Sequence, residues 1–330
     1  MTIILGRFRS RIVAAHALHP DPLRYAETAC PTPSPGGRRA ASATMNHHSR
    51  GVLAMFVAVA AFSFMDALLK LFAANYPPLQ VTAIRGAASL PFVLLPLWYT
   101  GRLAELRPKR VGLHLLRGVL GVLMLAGFVF ALREASLAAV YSLYMGAPLL
   151  IAAIAAWWLG EKVDGARWFA IIIGFIGVLV ILQPRADGLP LLAGLAAGIS
   201  AVCYALAAII GRVLTRSDHS SAIVFSFLFI MTLIAAALAL PAWVTIRSED
   251  YLLVVAVGGF GAAGQHYITE AFRQAPASVV APIEYTALLW GIVIDFFAWS
   301  ILPNVTMLGG ATLVVAAGLY VTWRERTSKA

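Results

Sequence analysis

Ten apolar runs follow one another along this chain, each near the length that crosses about 30 Å of hydrocarbon. They lie near 52–74, 79–99, 111–132, 136–159, 167–183, 190–211, 222–243, 251–272, 277–299 and 305–323. The polar breaks between them are short. Asn75-Tyr76-Pro77-Pro78 separates the first two runs, and Arg133-Glu134-Ala135 alone separates the third from the fourth. Runs of this length with so few charges predict membrane helices rather than a globular core. The expected fold is all-α and integral to the membrane, with ten transmembrane helices.

A second pattern overlies the first. Gly118, Gly121, Ala131, Arg133, Ala135, Val140, Ala147 and Leu149 recur as Gly258, Gly261, Ala271, Arg273, Ala275, Val280, Ala287 and Leu289, without a gap. Glycine, alanine, leucine and valine repeat easily in such sequence, but a shared arginine does not. The echo predicts two five-helix repeats, over 45–185 and 186–330. Five is odd, so the second copy enters the membrane from the opposite side. The expectation is an inverted repeat about a pseudo-two-fold axis in the membrane plane, a common architecture of secondary transporters.

Composition agrees. The chain is 61% hydrophobic, 12% charged and has a mean hydropathy of +0.84. Its formal charge of +10 has two ordinary sources. One is residues 1–44, which hold Arg7, Arg9, Arg11, Arg24, Arg38 and Arg39 against Asp21 and Glu27. This Pro- and Arg-rich stretch has no apolar run long enough for a signal peptide. It suits either a transit peptide or a disordered or mis-assigned extension before a start at Met45, and the second is expected. The other source is the short loops. With the N-terminus inside, Arg50, Arg102, Arg107, Lys109, Arg110, Lys162, Arg167, Arg212, Arg216, Arg273, Arg324, Arg326 and Lys329 fall on one side, and Arg133, Arg185 and Arg247 on the other. That bias puts both termini in the cytoplasm. No basic run is interleaved with aromatics on a soluble face, so nucleic acid is not an expected partner. Cys30 and Cys203 form neither a disulfide framework nor a metal site.

Certain motifs carry a resemblance. They are Phe62-Ser63-Phe64-Met65-Asp66-Ala67-Leu68-Leu69-Lys70, Pro78-Leu79-Gln80, Arg85, Arg133-Glu134-Ala135, Pro148, Trp157-Trp158-Leu159-Gly160-Glu161, Arg273-Gln274-Ala275-Pro276-Ala277-Ser278 and Pro282. Over about residues 51–323 the chain resembles the drug/metabolite transporter superfamily, specifically its ten-helix proteins with two EamA domains. Trp299-Ser300-Ile301-Leu302-Pro303 lacks an acid matching Glu161, which favours a structural role for Glu161 at a helix end. The resemblance implies a secondary transporter in a bacterial-type inner membrane, moving small organic metabolites by alternating access. Family substrates include amino acids, nucleotide-like metabolites, vitamins such as riboflavin, and metallophores. It implies no cofactor and no metal. Expected partners are the solute, the lipid bilayer, a proton as coupling ion and a second copy as a homodimer. It also sets the fourth and ninth helices beside a central cavity.

Charges at membrane depth are costly and usually face a partner or a cavity. Asp66 and Lys70 stand at i and i+4, as a self-neutralising pair or as a proton site and an anion site. Arg85 either pairs with Asp66 or Glu284 or faces the cavity. Arg117 is expected to snorkel. Glu284 shares a stripe with Ala281, Leu288, Gly291 and Asp295, and is the candidate coupling carboxylate or cation site. Asp295, near its helix end, is read as interfacial. Tyr141 and Tyr144 mark the matching stripe on the fourth helix. Gln265 and His266 are candidate cavity donors, Phe62, Tyr141, Tyr144, Tyr204, Tyr285 and Trp290 are candidate stacking aromatics, and Gly194 with Gly198 is a packing signal. The alternatives are an integral-membrane enzyme such as an acyltransferase, or a membrane sensor. The first lacks HExxH and GxSxG sequences, and the second lacks a soluble output domain. No Walker A sequence supplies ATP hydrolysis.

Overall fold

The computed structural model describes residues 37–158, 164–181, 190–215, 217–275 and 277–327. The helices are α1 (Gly37–Asn75), α2 (Pro78–Tyr99), α3 (Val111–Glu134), α4a (Leu137–Tyr144), α4b (Ala147–Trp158), α5 (Gly165–Ile181), α6 (Leu191–Leu214), α7 (Ser220–Ala239), α8 (Tyr251–Gln274), α9a (Ala277–Val280), α9b (Thr286–Trp299) and α10 (Val305–Thr327). Among the described residues nine helical segments are long and apolar enough to cross a membrane, and α5 is shorter. The chain is an all-α membrane protein of about ten helices. α1 starts at Gly37, so helix extends back through Met45 into the segment that composition set apart; residues 1–36 lie outside the described residues. Glu161 and Arg216 also lie outside them.

Large apolar side chains are spread over the outer faces. Phe297, Leu252, Leu192 and Phe169 are all exposed, as expected where lipid is the solvent. Inside the bundle the contacts are small. Helices in lipid gain little from burying apolar surface, so close backbone approach between small residues drives their association. A methyl on Gly51 of α1 would meet Ala275 of α8 at 2.6 Å, and one on Gly177 of α5 would meet the Gly310 carbonyl of α10 at 2.8 Å.

The pairings exchange when five is added to or taken from each helix number. α1 lies along α8 as α3 lies along α6; α3 meets α7 as α2 meets α8; α2 pairs with α7 and α5 with α10. The echoed glycines sit in exchanged interfaces. Gly118 packs on Ile230 and Gly121 on Phe227, both of α7. Gly258 packs on Ala88 of α2, and Gly261 on Met65 of α1 and Ser89 of α2. Gly198 departs from the packing expected of it: nothing lies within 4 Å of where its Cβ would be. Gly194 alone of that pair is buried.

The fourth and ninth runs, read from hydropathy as continuous, are both broken. Chain turn at Met145 and Gly146 splits α4. A 3₁₀ turn over Ala281–Tyr285 splits α9. Proline explains each break. Pro148 cannot donate to the Tyr144 carbonyl and its ring crowds that carbonyl, and Pro282 does the same at Ser278. Pro148 then sits in the first turn of α4b and Pro282 at the start of the 3₁₀ turn, where a missing N–H costs nothing. The 140-residue echo carries Met145 onto Tyr285 and Gly146 onto Thr286, so the two breaks fall at equivalent places.

A paired test separates close packing from mere small-residue composition. Gly258→Ala forces a methyl onto the Ala88 carbonyl, which cannot rotate away. It should lower the thermal unfolding midpoint of the detergent-purified protein by the equivalent of about 1–3 kcal/mol. Gly259→Ala meets nothing within 4 Å and should leave the midpoint unchanged or raise it. Equal midpoints for the two variants would rule out the close approach of α8 and α2.

Candidate functional site

Three polar knots tie the ends of the bundle, and they leave a fourth group of polar residues free in the middle. At the end opposite the chain termini, Tyr76 donates to Asp250 at 2.6 Å and accepts from the Arg247 backbone N–H. Gln80 exchanges two hydrogen bonds with the Val244 backbone. At the terminal end, the Lys109 backbone N–H donates to Asp218 at 2.6 Å. His114 Nε2 lies 3.4 Å from the same carboxylate, and Ser226 holds the other ring nitrogen. Burial alone would push the Asp218 carboxyl up, but the Lys109 N–H, Ser217 and His114 hold it below the usual carboxylate range. Arg324 donates to Asp164 at 2.8 Å, and this bond holds that exposed carboxyl low.

The third knot corrects two expectations. Lys70 does not pair with Asp66 and does not face open space. Its Nζ lies 3.2 Å from Asp295 and 4.4 Å from the Trp299 ring centroid. Asp295 is not interfacial: it is 1% exposed. It accepts from the backbone N–H groups of Leu137 at 3.1 Å and Ala138 at 2.8 Å. These are the first amides of α4a, which have no intrahelical acceptor. Ser136 caps the same helix by accepting from Ala139. One carboxylate therefore joins α9b, α1 and the start of α4a.

Arg117 does not snorkel. It donates to the carbonyls of Ala207 at 3.3 Å and Ile223 at 3.0 Å, and lies over the Phe227 ring. It pins α3 to α6 and α7. Sequence gives no signal for those acceptors, because they are backbone carbonyls on distant helices.

The other candidate residues take up varied surroundings. His266 points away from the packed face of α8, is exposed and packs edge-on to Tyr267. Gln265 is half-buried on the side of α8 nearer α2, and its side chain makes no hydrogen bond among the described residues. Tyr285 is 9% exposed and lies against Gly318 of α10 rather than in open space. Trp290 packs with Phe56 and Phe64. Tyr141 is 5% exposed, stacks on Phe128 and donates to Asp66 at 2.8 Å.

What remains lies between the two helix breaks. Tyr144 ends α4a just before its break, and Glu284 lies within the break of α9. The echo aligns them, since position 144 maps to 284. Tyr144 is hydrogen-bonded to Ser200, which itself donates to the Met124 carbonyl. With the serine proton so used, Tyr144 is the donor of its pair, and its oxygen keeps acceptor capacity. Tyr204 stands one turn along α6 from Ser200, with its ring 6.1 Å from that of Tyr144. Tyr204 has Glu284 and Arg117 as its charged neighbours. Arg85 faces Asp66 and Tyr144. Glu284, Tyr144 and Arg85 are half-buried and Tyr204 is 37% exposed, although all four lie deep in the bundle. Surface that is accessible yet surrounded by helices is an internal cavity. Neither Arg85 nor Glu284 makes a side-chain hydrogen bond or ion pair among the described residues. Among the described residues no group of three His, Cys, Asp or Glu side chains could hold a metal ion.

Asp295 gives a direct test of the third knot. Asp295→Asn strands a buried lysine and removes the charge at the start of α4a, so it should cost about 3–5 kcal/mol. Adding Lys70→Met removes the stranded charge and should recover part of the lost thermal midpoint. If the double variant were no more stable than the single one, the pair would not be the source of the loss.

Residues 49–183 match the EamA-like transporter family. The riboflavin transporter of Vibrio cholerae is 29% identical over 293 residues, covering 87% of this chain and 98% of that protein. The pseudopaline exporter of Pseudomonas aeruginosa is 29% identical over 268 residues, covering 81% and 94%. The S-adenosylmethionine uptake transporter of Rickettsia conorii is 24% identical over 238 residues, covering 72% and 79%. One crystal structure superposes with a TM-score of 0.60 at 20% identity, covering 86% of this chain and 99% of that one, which shows a shared fold. The matched region, these relatives and a bundle of about ten helices with exchanged packing agree: residues 49–183 are an EamA-like transporter domain, and over most of its length the chain is similar to small-molecule membrane transporters.

Proposed function

We propose that the protein is a secondary transporter that moves small organic metabolites across a bacterial-type inner membrane by alternating access. The observation that carries this reading is the pair of helix breaks at echoed positions, with Tyr144 and Glu284 beside them. Discontinuous helices at the interface of two repeats are where transporters of this general design bind their cargo. Relatives named for riboflavin, pseudopaline and S-adenosylmethionine support a small organic solute. They include an exporter and an uptake transporter, so direction does not follow from likeness.

In this reading the repeats are 45–185 and 186–330, with opposite orientations and both termini cytoplasmic. Cysteine labelling tests that arrangement. In a chain freed of Cys30 and Cys203, Glu134→Cys should react with an impermeant reagent from outside, and Gln274→Cys only from inside. Labelling of both from one side would defeat the inverted arrangement.

Glu284 is then the coupling carboxylate or the site for a cationic group, because it is an acid without a protein partner at a break in a membrane helix. Glu284→Gln keeps size and most hydrogen-bonding capacity. Untargeted metabolomics of cells and medium, with the protein absent, native or carrying Glu284→Gln, gives the readout. The native protein should shift one or a few metabolites between cells and medium. The variant should lose that shift, or change its pH dependence, at unchanged membrane abundance. Native behaviour at every pH would reduce Glu284 to packing, and no shift with the native protein would overturn the transport reading.

A further inference from the structure

Among the described residues six charged side chains lie at depth in this bundle, and their partners can be followed one by one. Lys70 and Asp295 neutralise each other. Arg117 is satisfied by two carbonyls and an aromatic face. Asp66 accepts the Tyr141 hydroxyl. The Glu284 side chain makes no hydrogen bond among the described residues, but an acid so placed can take a proton and become neutral. Arg85 has no such escape, since guanidinium stays charged at any ordinary pH.

Arg85 is therefore the anomaly. Its Nε is buried without a hydrogen-bond partner, and no side-chain hydrogen bond or ion pair reaches its terminal nitrogens among the described residues. Those terminal nitrogens are absent from the buried orphan atoms, so they open onto the cavity. Asp66 is within electrostatic reach and helps the charge stay in the bundle, but it does not form an ion pair with it. Lys70, which would compete for any anion nearby, is held by Asp295. The planar donor fork of a half-buried arginine thus faces the cavity, and an oxyanion is the ligand that fits it.

We propose that Arg85 is the anion anchor of the cavity and that the solute it reads carries a carboxylate. The inference rests on the transport reading only in calling the bound molecule a substrate; binding is a separate matter. The charge of the site narrows the class. Asp66 lies within electrostatic reach of Arg85, so a dianion such as a phosphate monoester meets more like-charge repulsion than a carboxylate, which brings one charge, and is disfavoured. Tyr144 and Tyr204, with rings 6.1 Å apart, lie between Arg85 and Glu284 and offer faces to a ring-bearing solute. Tyr144 has already spent its proton on Ser200, so it accepts rather than donates. Arg85 alone among these residues can supply a charged fork to the anion.

Matched probes test this without knowing the substrate. Benzoate and benzamide share ring and size and differ in charge, and phenyl phosphate supplies the dianion. In the purified full chain, benzoate should raise the thermal unfolding midpoint in a dose-dependent way, while benzamide and phenyl phosphate should not. Arg85→Gln should abolish the benzoate effect and Arg85→Lys should keep part of it. A benzoate effect that persists in Arg85→Gln, or an equal effect of benzamide, overturns the proposal. If Arg85→Gln does not yield folded protein, arginine modification of the native chain by phenylglyoxal decides instead. Arg85 should be modified, as mapped by mass spectrometry. At benzoate about ten times its dissociation constant that modification should slow about tenfold by mass action, with no slowing by benzamide. An Arg85 that is not modified, or that benzoate does not protect, also overturns it. Loss of the metabolite shift alone would leave this result standing and remove only the transport reading.

Discussion

Hydrocarbon offers no hydrogen bonds, so every polar group placed in it must find its partner inside the protein. Asp295 is where this bundle meets that demand most fully. The chain turns sharply after α3, and the first amides of α4a point into the bundle without acceptors of their own. Asp295 supplies an acceptor to two of them and a counter-charge to Lys70. Three helices from distant parts of the sequence are fixed together in this way. The broken fourth helix starts from a firm origin, which sets where its break and Tyr144 come to rest.

The breaks can be read against the same demand. A turn of irregular backbone at membrane depth leaves carbonyls unpaired, and it is tolerated where it lines an interior space rather than lipid. Both breaks are caused by proline, both lie at echoed positions, and both border the accessible surface around Tyr204. The close-packed pairs α1–α8, α3–α6 and α5–α10 surround them with small residues. The fold thus separates two kinds of contact: tight glycine and alanine seams that set helix positions, and a loosely filled interior that holds the unpaired charges.

Much of this was legible in the sequence. Ten apolar runs gave the helices to within a few residues, and the echoed Gly118 and Gly258 lie in exchanged seams. The charged residues were found but their partners were not. Lys70 has a near acid four residues away in Asp66, and local spacing favoured that pair. The structure instead joins it to an acid 225 residues distant, because helix rotation and tilt, which no local pattern encodes, decide what faces what. His266 failed for a related reason: its polarity suggested an interior role, but it falls on the side of α8 opposite the buried residues. The breaks at Met145–Gly146 and Ala281–Tyr285 had a usable signal in Pro148 and Pro282, hidden by the continuous hydropathy around them.

The echoed seams have an energetic consequence. If helices n and n+5 can trade environments, then contacts that are repeated cost the same before and after the trade and cancel. Any free-energy difference between the two arrangements must come from residues that break the echo. Tyr144 opposite Glu284 and Gly146 opposite Thr286 are such residues. Any resting bias of this molecule is therefore written in the unmatched side chains, those at the breaks among them, and not in the glycine and alanine positions that repeat.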